Sequence, residues 1–293
     1  MRDFPEYLGA IATDLEARLD ALLPTGDAIA EAMRWGTLGG GKRLRGFLVV
    51  ESAALFDVPR AQALNTAAAI ECLHAYSLIH DDLPCMDDDD LRRGRPTVHR
   101  KWDEATAVLA GDALQTQAFA ILSDPATHPD PSVRIALVSA LAAASGQGGM
   151  VGGQAMDIAA ETAGRMLDLV EIRTLQALKT GALIRFAAQS GALLGQGDST
   201  ARDALTSYAD ALGAAFQIRD DLLDVDGDEA AAGKALNKDA QAGKATYVSL
   251  LGVDGARQKA DELIAQAIFA LRPFGTRANA LADAARYTIS RTT

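Results

Sequence analysis

Two dense clusters of aspartates are the residues best able to do chemistry in this 293-residue chain. The first cluster follows an apolar segment and is closed by Arg92 and Arg93. Its six members are Asp81, Asp82, Asp87, Asp88, Asp89 and Asp90. Crowded carboxylates repel one another and are costly to bury, whereas a hard divalent cation with oxygen ligands removes both costs. The arginines stand where an anion bridging such metals would be met from its other side. A run of this kind taken alone also fits a solvated acidic loop.

A second cluster favours the metal site over the solvated loop, because it repeats the pattern at the end of another apolar segment. Asp220 and Asp224 are four residues apart, so they share a helix face, and Gln217 lies one turn before Asp220. Like charges at this spacing destabilise a bare helix. Two acidic clusters that each end a buried helix therefore predict facing walls of one metal-lined cavity.

Both clusters resemble the aspartate-rich motifs of the trans-isoprenyl diphosphate synthase (polyprenyl synthetase) family. Asp81-Asp82, separated by four residues from Asp87, is similar to the first motif, in its form with two extra residues. Asp220-Asp221 followed by Asp224 is similar to the second. The similarity runs in order, with family-like spacing, from Gly39 to Tyr247, and it is closest to the bacterial members that make farnesyl diphosphate.

The resemblance implies an all-α fold of a single domain, residues 1–293, in which an isoprenoid-synthase helical bundle surrounds a central cavity. It also implies Mg²⁺-dependent head-to-tail condensation of isopentenyl diphosphate with dimethylallyl or geranyl diphosphate, releasing diphosphate. About three Mg²⁺ ions per active site would act as Lewis acids on the leaving group. The metal ligands carried over are Asp81, Asp82, Asp87, Asp220, Asp221 and Asp224.

A glycine turn followed by basic residues predicts a second anion site. Glycine lets the backbone approach a phosphate closely, although a solvated basic helix start would look the same. The family places isopentenyl diphosphate here, bound by Lys42, Arg45, His74 and Arg93. A lone histidine such as His74 is otherwise more often a satisfied core residue. Gly46 stands where the family usually has proline, and we expect it to loosen the helix start.

The remaining site residues also come from the resemblance. It assigns the allylic diphosphate to Arg92, Lys179, Lys234 and Lys244, and catalytic roles to Lys179, Thr180, Gln217 and Arg92. The dipoles of Thr180 and Gln217 would stabilise the allylic cation. In the family, the polar segment Gly227–Ala245 closes over substrate, and Asp239 matches a further position there. Asn237 and Val248 depart from the usual glycine and proline.

Tyr76 lies five residues before Asp81, and therefore deeper along the same predicted helix. Core packing would explain a tyrosine there. In similar enzymes a bulky aromatic at this position closes the hydrophobic tunnel, so Tyr76, with Ser77 beside it, favours a farnesyl over a geranylgeranyl product.

Composition limits the other functions. The residues are 49% hydrophobic but only 5% aromatic, and the many alanines and leucines favour helices. The two clusters contain eleven aspartates, equal to the net charge of −11, so no basic stripe remains for nucleic acid. Cys72 and Cys85 have no paired spacing, which suits a reducing, cytoplasmic setting. Early acidic residues argue against a signal peptide. The uncharged stretch Ile135–Met156 is interpreted as a packed core helix without stable membrane insertion. Its many glycines suggest close helix packing or room for a ligand.

Periodicity and breakers predict helices that begin and end near Pro, Gly and capping residues. Asp103 is the expected N-cap of one helix, Pro84 is expected to re-aim the chain after the first cluster, and a kink is expected near Lys179–Gly181. The predicted helices are Asp3–Leu23, Asp27–Leu38, Lys42–Phe56, Pro59–Asp82, Asp103–Asp124, Pro131–Glu161, Leu167–Leu194 and Ser199–Val225.

Three alternatives stay open. A geranylgeranyl diphosphate synthase would use the same chemistry. A terpenoid cyclase shares the fold and an aspartate-rich motif but needs no second diphosphate site, so Lys42 and Arg45 argue against it. A regulatory subunit or cation-binding helical protein is opposed by the presence of both clusters. Relatives are mostly homodimers, and we expect the same here.

Overall fold

A computed structural model describes residues 3–162, 167–226 and 246–291 of the chain. These residues are almost entirely helical, with one antiparallel ribbon that pairs Arg92 with Arg95. The elements are α1 (Phe4–Leu22), α2 (Ala28–Thr37), α3 (Leu44–Ala54), α4 (Arg60–Asp81), β1 (Leu91–Arg92), β2 (Arg95–Pro96), α5 (Val98–Lys101), α6 (Glu104–Ser123), α7 (Pro131–Ser145), α8 (Met150–Thr162), α9 (Leu169–Gln176), a π-helical turn (Ala177–Gly181), α10 (Ala182–Leu194), α11 (Ser199–Asp226), α12 (Tyr247–Ala270), a 3₁₀ segment (Arg272–Ala278) and α13 (Asn279–Ser290).

The predicted all-α fold is confirmed, and several helix ends lie within a residue or two of the predicted ones. The expected N-cap is present, since the Asp103 carboxylate accepts the Thr106 N–H at 2.7 Å. The predicted kink near Lys179 is a π-helical turn, a wider turn that is often found at functional positions. It follows α9, which begins in a capping box formed by Asp168 and Glu171.

The chain divides into two compact units. The first contains Met1–Val138 and Leu193–Gln196. Its central element is α4, which packs against α3 and α6. Alanines at positions 67 to 69 of α4 are fully buried. Small side chains let neighbouring helices approach closely, so α4 can hold the first aspartate cluster at the end of a rigid, buried rod.

The second unit contains Ser139–Ala192 and Gly197–Thr293. Its longest described helix, α11, packs against α12 and α13. The buried hydroxyl of Tyr208 donates to the Leu281 carbonyl at 2.8 Å and so joins α11 to α13. Val248, at the expected proline position, is buried in an apolar cluster with Ile218 and Leu222. The second aspartate cluster thus also ends a well-packed helix.

The single helix predicted for Pro131–Glu161 is wrong. It is two helices, α7 and α8, separated by a turn that contains Gly146, Gly148 and Gly149. Glycine is costly in a helix interior, and three within four residues end α7. Among the described residues, only the stretch Pro131–Ala160 is apolar and long enough to cross a membrane by composition, and 28% of its most apolar window is buried. The expected tight core packing is therefore only partly present.

Candidate active site

The chain turns back on itself directly after α4. Pro84 lies in the turn that follows Asp82, as its sequence position predicts, and the Asp87 N–H donates to the Asp81 carbonyl at 2.8 Å. This hydrogen bond brings the backbone of Asp87 beside the end of α4. Two carboxylates six residues apart in sequence can then serve one ligand, which an unbroken helix would prevent.

The ribbon β1–β2 returns Arg92 to the same place. Its guanidinium binds Asp82, whose side chain is 4% exposed, through Nε at 2.8 and 2.9 Å and a terminal nitrogen at 2.5 Å. Burial raises the pKa of the Asp82 carboxyl, as do Asp89 and Asp87, and Arg92 opposes the shift. Because Arg92 engages both carboxylate oxygens, the geometry favours Asp82 as a group that positions Arg92.

The glycine turn adopts a backbone that side chains rarely tolerate. Gly39, Gly40 and Gly41 have φ of 86°, 145° and 101°. The Gly40 carbonyl accepts a hydrogen bond of 2.6 Å from Arg93, and a Cβ on Gly41 would lie 2.8 Å from that guanidinium. The positive φ values therefore favour glycine at all three positions of the turn that Arg93 contacts. Two residues assigned to isopentenyl diphosphate thus meet at the glycine turn: Arg93 donates to it, and Lys42 directly follows it.

Arg43 anchors the turn, and sequence reasoning passed over it. It is 5% exposed, has a left-handed φ of 49°, and binds Glu71 at 2.9 Å and Glu16 through Nε at 2.9 Å. Although burial alone would lower the pKa of Arg43, the carboxylates of Glu71 and Glu16 raise it above the ordinary value. The only sequence signal was an arginine among other basic residues, which does not distinguish a buried residue from exposed ones.

Arg45 and His74 lie together, as the resemblance implies. The Arg45 guanidinium is 3.3 Å from Nε2 of His74. Burial of the imidazole lowers its pKa well below the ordinary value, and the positive charges of Arg45 and Arg93 lower it further. His74 is therefore neutral beside a group of cations, an arrangement that favours an anionic ligand.

Gly46 does not leave the helix start loose, contrary to the sequence expectation. A Cβ there would lie 2.2 Å from Cδ2 of Leu15, so the helix α1 packs directly on the glycine. The Gly46 N–H donates to Glu71 at 3.0 Å. Proline could provide neither the space nor the donor at this position.

Tyr76 and Ser77 lie on α4, above the aspartates. Tyr76 is 6% exposed, and its ring meets the His80 ring edge-on at 5.5 Å between centroids. The Ser77 hydroxyl donates to the His74 carbonyl at 2.8 Å, so it serves the helix backbone. Tyr76 is thus a buried aromatic packed against His80, and its role in product length stays a prediction.

In the second unit a hydrogen-bonded row joins the π-helical turn to the second cluster. Thr180 donates to Gln217 at 3.2 Å, and the Gln217 amide donates to Asp221 at 3.2 Å. The other oxygen of Asp221 accepts the Tyr247 N–H at 3.0 Å. Asp221 is 3% exposed. These two contacts favour a structural role in which Asp221 fixes Gln217, while Asp220 and Asp224 are more accessible.

Lys179 points to a different neighbour. Its ammonium lies 2.6 Å from the Asp157 carboxylate of α8, consistent with Asp157 supporting a site residue. A Cβ on Gly153 would lie 2.2 Å from the Lys179 backbone nitrogen, so this glycine lets α8 and the π-helical turn touch. The close helix packing that the glycines of this segment predict is present here.

Asp220 has a partner that no local pattern predicts. Arg291, at the end of α13, forms an ion pair with the Asp220 carboxylate. Sequence reasoning found no chemistry in the C-terminal helices, because the two residues are 71 positions apart.

The described carboxylates fit Mg²⁺. No three His, Cys, Asp or Glu side chains among the described residues converge into a ready-made metal cage. Mg²⁺ does not require one, since it is usually bound by one or two carboxylates together with waters and substrate phosphates. Asp220 already takes a cation, Arg291, and its side chain is 41% exposed. Lys234, Asn237, Asp239 and Lys244 lie outside the described residues, and the roles expected of them stay predictions.

Comparison with known proteins gives the family of the chain. The model of the polyprenyl synthetase family matches residues 27–273. The chain is 49% identical to farnesyl diphosphate synthase of Escherichia coli K12, over 99% of both chains. The chain belongs to the polyprenyl synthetase family.

Other polyprenyl synthetases are similarly close. Farnesyl diphosphate synthase of Haemophilus influenzae is 42% identical over 97% of this chain and 98% of its own length. A solved structure from Zymomonas mobilis, described as an FPP/GFPP synthase, has 49% identity and a TM-score of 0.90, and the match covers 98% of this chain and 99% of that one. The all-α isoprenoid synthase fold and the prenyltransferase class of this polyprenyl synthetase are thereby established.

Proposed function

We propose that this prenyltransferase condenses isopentenyl diphosphate with dimethylallyl and geranyl diphosphate to give farnesyl diphosphate and free diphosphate. The observation that carries the proposal is the 49% identity, over nearly the whole chain, to a farnesyl diphosphate synthase. The contacts of Asp82 with Arg92 and of Asp221 with Gln217 support it, because they hold an arginine and an amide beside the two clusters.

The first unit supplies the proposed isopentenyl diphosphate site. Arg93 donates to the Gly40 carbonyl, and the Arg45 guanidinium lies beside the His74 ring. Lys42 directly follows the glycine turn. The negatively charged diphosphate group would be met by several cations and a neutral imidazole. The role of these residues is to orient the nucleophilic double bond, since holding two reactants in place lowers the barrier considerably.

The carboxylates and cations near them would act on the allylic substrate. We assign direct metal binding to Asp81, Asp87, Asp220 and Asp224, and a positioning role to Asp82 and Asp221. Bound Mg²⁺ would supply Lewis-acid stabilisation of the negative charge that develops on the leaving diphosphate. Arg92 and Lys179 are the described protein cations proposed to bind that group. Lys234 and Lys244 are proposed to join them.

Thr180 and Gln217 would act on the organic part of the substrate. Their hydroxyl and amide dipoles are held by the row that ends at Asp221. Fixed dipoles can stabilise a developing allylic cation without reorganising during the reaction. The released diphosphate is the proposed proton acceptor, so no histidine or glutamate base is needed. An apolar tunnel with Tyr76 at its floor would exclude water, which would otherwise capture the cation.

One incubation tests the proposal. Purified protein with isopentenyl and geranyl diphosphates and Mg²⁺ should give farnesyl diphosphate, identified as farnesol by mass spectrometry after dephosphorylation. Chelation of the metal should stop the reaction. Cyclic hydrocarbons would favour a cyclase, and the absence of any longer chain would favour a non-enzymatic role.

A longer product is the second candidate. The Zymomonas mobilis relative is described as an FPP/GFPP synthase, and a relative of 40% identity from Arabidopsis thaliana is named a geranylgeranyl pyrophosphate synthase. The same incubation, analysed for geranylgeraniol and longer alcohols, decides between them.

We also propose a cytoplasmic homodimer. Exposed apolar side chains, among them Ile135 on α7 (65% exposed) and Val151 on α8 (46%), offer surface that a second copy could cover. Light scattering coupled to size-exclusion chromatography would give the mass directly, and a monomer at working concentration would contradict the proposal.

A further inference from the structure

Arg291 is a closely held cation beside the second aspartate cluster. It follows α13 as the C-cap residue, and its guanidinium donates to Asp220 on α11. The Arg291 side chain is 10% exposed, whereas that of Asp220 is 41% exposed. A charged side chain is rarely withdrawn from water to this degree unless its partners compensate it.

Three further contacts fix this arginine. Its carbonyl accepts from the Arg219 guanidinium, at 3.0 Å from Nε and 2.5 Å from a terminal nitrogen. Its guanidinium carbon lies 4.2 Å from the centre of the Phe216 ring, and its Nε donates to the Thr288 carbonyl at 3.2 Å. Phe216, Arg219 and Asp220 stand on one turn of α11. The helical turn that carries Asp220 therefore also contacts the backbone and the side chain of Arg291.

We propose that Arg291 is a built-in counter-cation that sets the metal affinity of the second cluster. This inference rests on the proposed role of Asp220 as a metal ligand. A fixed positive charge on the carboxylate offsets the repulsion between Asp220 and Asp224 in the metal-free protein. The same charge repels a divalent cation and competes with it for an Asp220 oxygen.

Arg291 consequently disfavours a metal ion held by these carboxylates alone. A metal ion that binds together with an anion loses less affinity, because the negative charge of the anion offsets the positive charge of Arg291. The arginine thus couples metal binding at Asp220 to the presence of a negatively charged substrate group, without touching the reacting carbons. It is a positioning residue for the metal site.

Metal binding by the full-length protein without substrate tests this directly. Mn²⁺ alone is titrated, and free Mn²⁺ is followed by electron paramagnetic resonance. Arg291→Gln should tighten Mn²⁺ binding about tenfold, in the range of ordinary coupling between sites. Arg291→Lys keeps the charge and should stay close to the wild-type value. Arg286→Gln removes an exposed arginine on the same helix, paired with Asp283 at 2.7 Å, and should change nothing.

Thermal unfolding is a second measurement, and it remains informative even if Arg291→Gln is less stable than wild type. Without metal, Arg291→Gln should unfold at a lower temperature than wild type. Added Mn²⁺ should raise its Tm by more than it raises that of wild type, because tighter binding stabilises the folded state more. A variant that folds poorly without metal but is rescued by Mn²⁺ also supports the inference.

The variant Asp220→Asn tests the metal assignment of Asp220 separately from the role of Arg291. If Asp220→Asn weakens Mn²⁺ binding and Arg291→Gln leaves it unchanged or weaker, the role of Arg291 is overturned while the metal assignment stands. If Asp220→Asn has no effect on Mn²⁺ binding, the metal assignment of the proposed function fails, and the role of Arg291 fails with it.

Discussion

The Arg92 guanidinium engages both oxygens of the Asp82 carboxylate, with Nε 2.8 Å from one and 2.9 Å from the other. These residues are ten positions apart and are joined by the turn after α4 and by the ribbon β1–β2. An aspartate of the first motif is thus used to position an arginine.

Asp82→Asn should damage both catalysis and stability. It keeps the shape of the side chain but leaves Arg92 without a charged partner, so we expect turnover to fall about 100-fold through misplacement of that arginine. The free energy of unfolding should fall by roughly 1–2 kcal/mol, less than for a fully buried pair because Arg92 is partly exposed. Steady-state kinetics and urea unfolding measure the two effects. Asp90→Asn, which breaks an exposed pair with Arg100, is the control and should change stability little.

Asp81→Ala and Asp220→Ala should each reduce turnover about 1,000-fold, since each removes an oxygen ligand for the ions that stabilise the leaving group. Far-ultraviolet circular dichroism should show helix content close to wild type. Asp88→Asn changes an exposed member of the first cluster and should leave turnover near the wild-type value. Retained activity in either alanine variant would refute the metal assignment.

Tyr76→Ala should lengthen the product, because it removes the proposed floor of the tunnel. The same change should cost roughly 3 kcal/mol of unfolding free energy, as expected for deleting a buried ring. Tyr76→Phe keeps the ring and should keep farnesyl as the product. Chromatography of the dephosphorylated products is the measurement, and an unchanged farnesyl product from Tyr76→Ala would show that the floor lies elsewhere.

Stability should fall as the pH drops below about 6.5, the ordinary pKa of histidine. His74 has a lowered pKa in the folded protein because of burial and the charges of Arg45, Arg93, Arg43 and Arg92, so the unfolded chain takes up a proton first. His74→Gln should remove up to about 1 kcal/mol of the loss between pH 7.5 and pH 5.5. Urea unfolding at the two pH values measures this contribution, and equal losses in both proteins would contradict it.

Gly46→Pro, which introduces the residue usual in similar enzymes, should destabilise this chain by roughly 2–3 kcal/mol. The ring would overlap Leu15, and the N–H donated to Glu71 would be lost. Leu15→Ala in the same protein should recover part of the loss relative to the sum of the single changes, because the two sites are in contact. Strictly additive unfolding energies would show that Leu15 is not the obstacle.

Local patterns predicted those parts of the structure that local physics determines. The Asp103 cap, the break after Asp82 and the kink near Lys179 each follow from residue types within a few positions. The split of α7 from α8 was missed because glycine density was interpreted as packing inside a helix. Close packing is present at Gly153, which lies against the Lys179 backbone. The glycines that begin at Gly146 instead end α7.

Contacts between distant residues were beyond the reach of those patterns. Arg43 lies between Lys42 and Arg45 in the sequence, and only the fold shows that it is buried against Glu71. Arg291 is an ordinary helix-ending arginine until α13 is placed against α11. The participating residues can be guessed from type and spacing, but their partners are decided by tertiary packing.

The π-helical turn Ala177–Gly181 makes this part of the chain sensitive to length as well as to composition. Lys179 and Thr180 are adjacent, yet one reaches Asp157 on α8 and the other Gln217 on α11. Deleting a single residue from the turn would restore ordinary pitch and swing the preceding side chains by about 100°. A one-codon deletion, with every named site residue intact, would then disconnect the lysine from its carboxylate or the threonine from its amide.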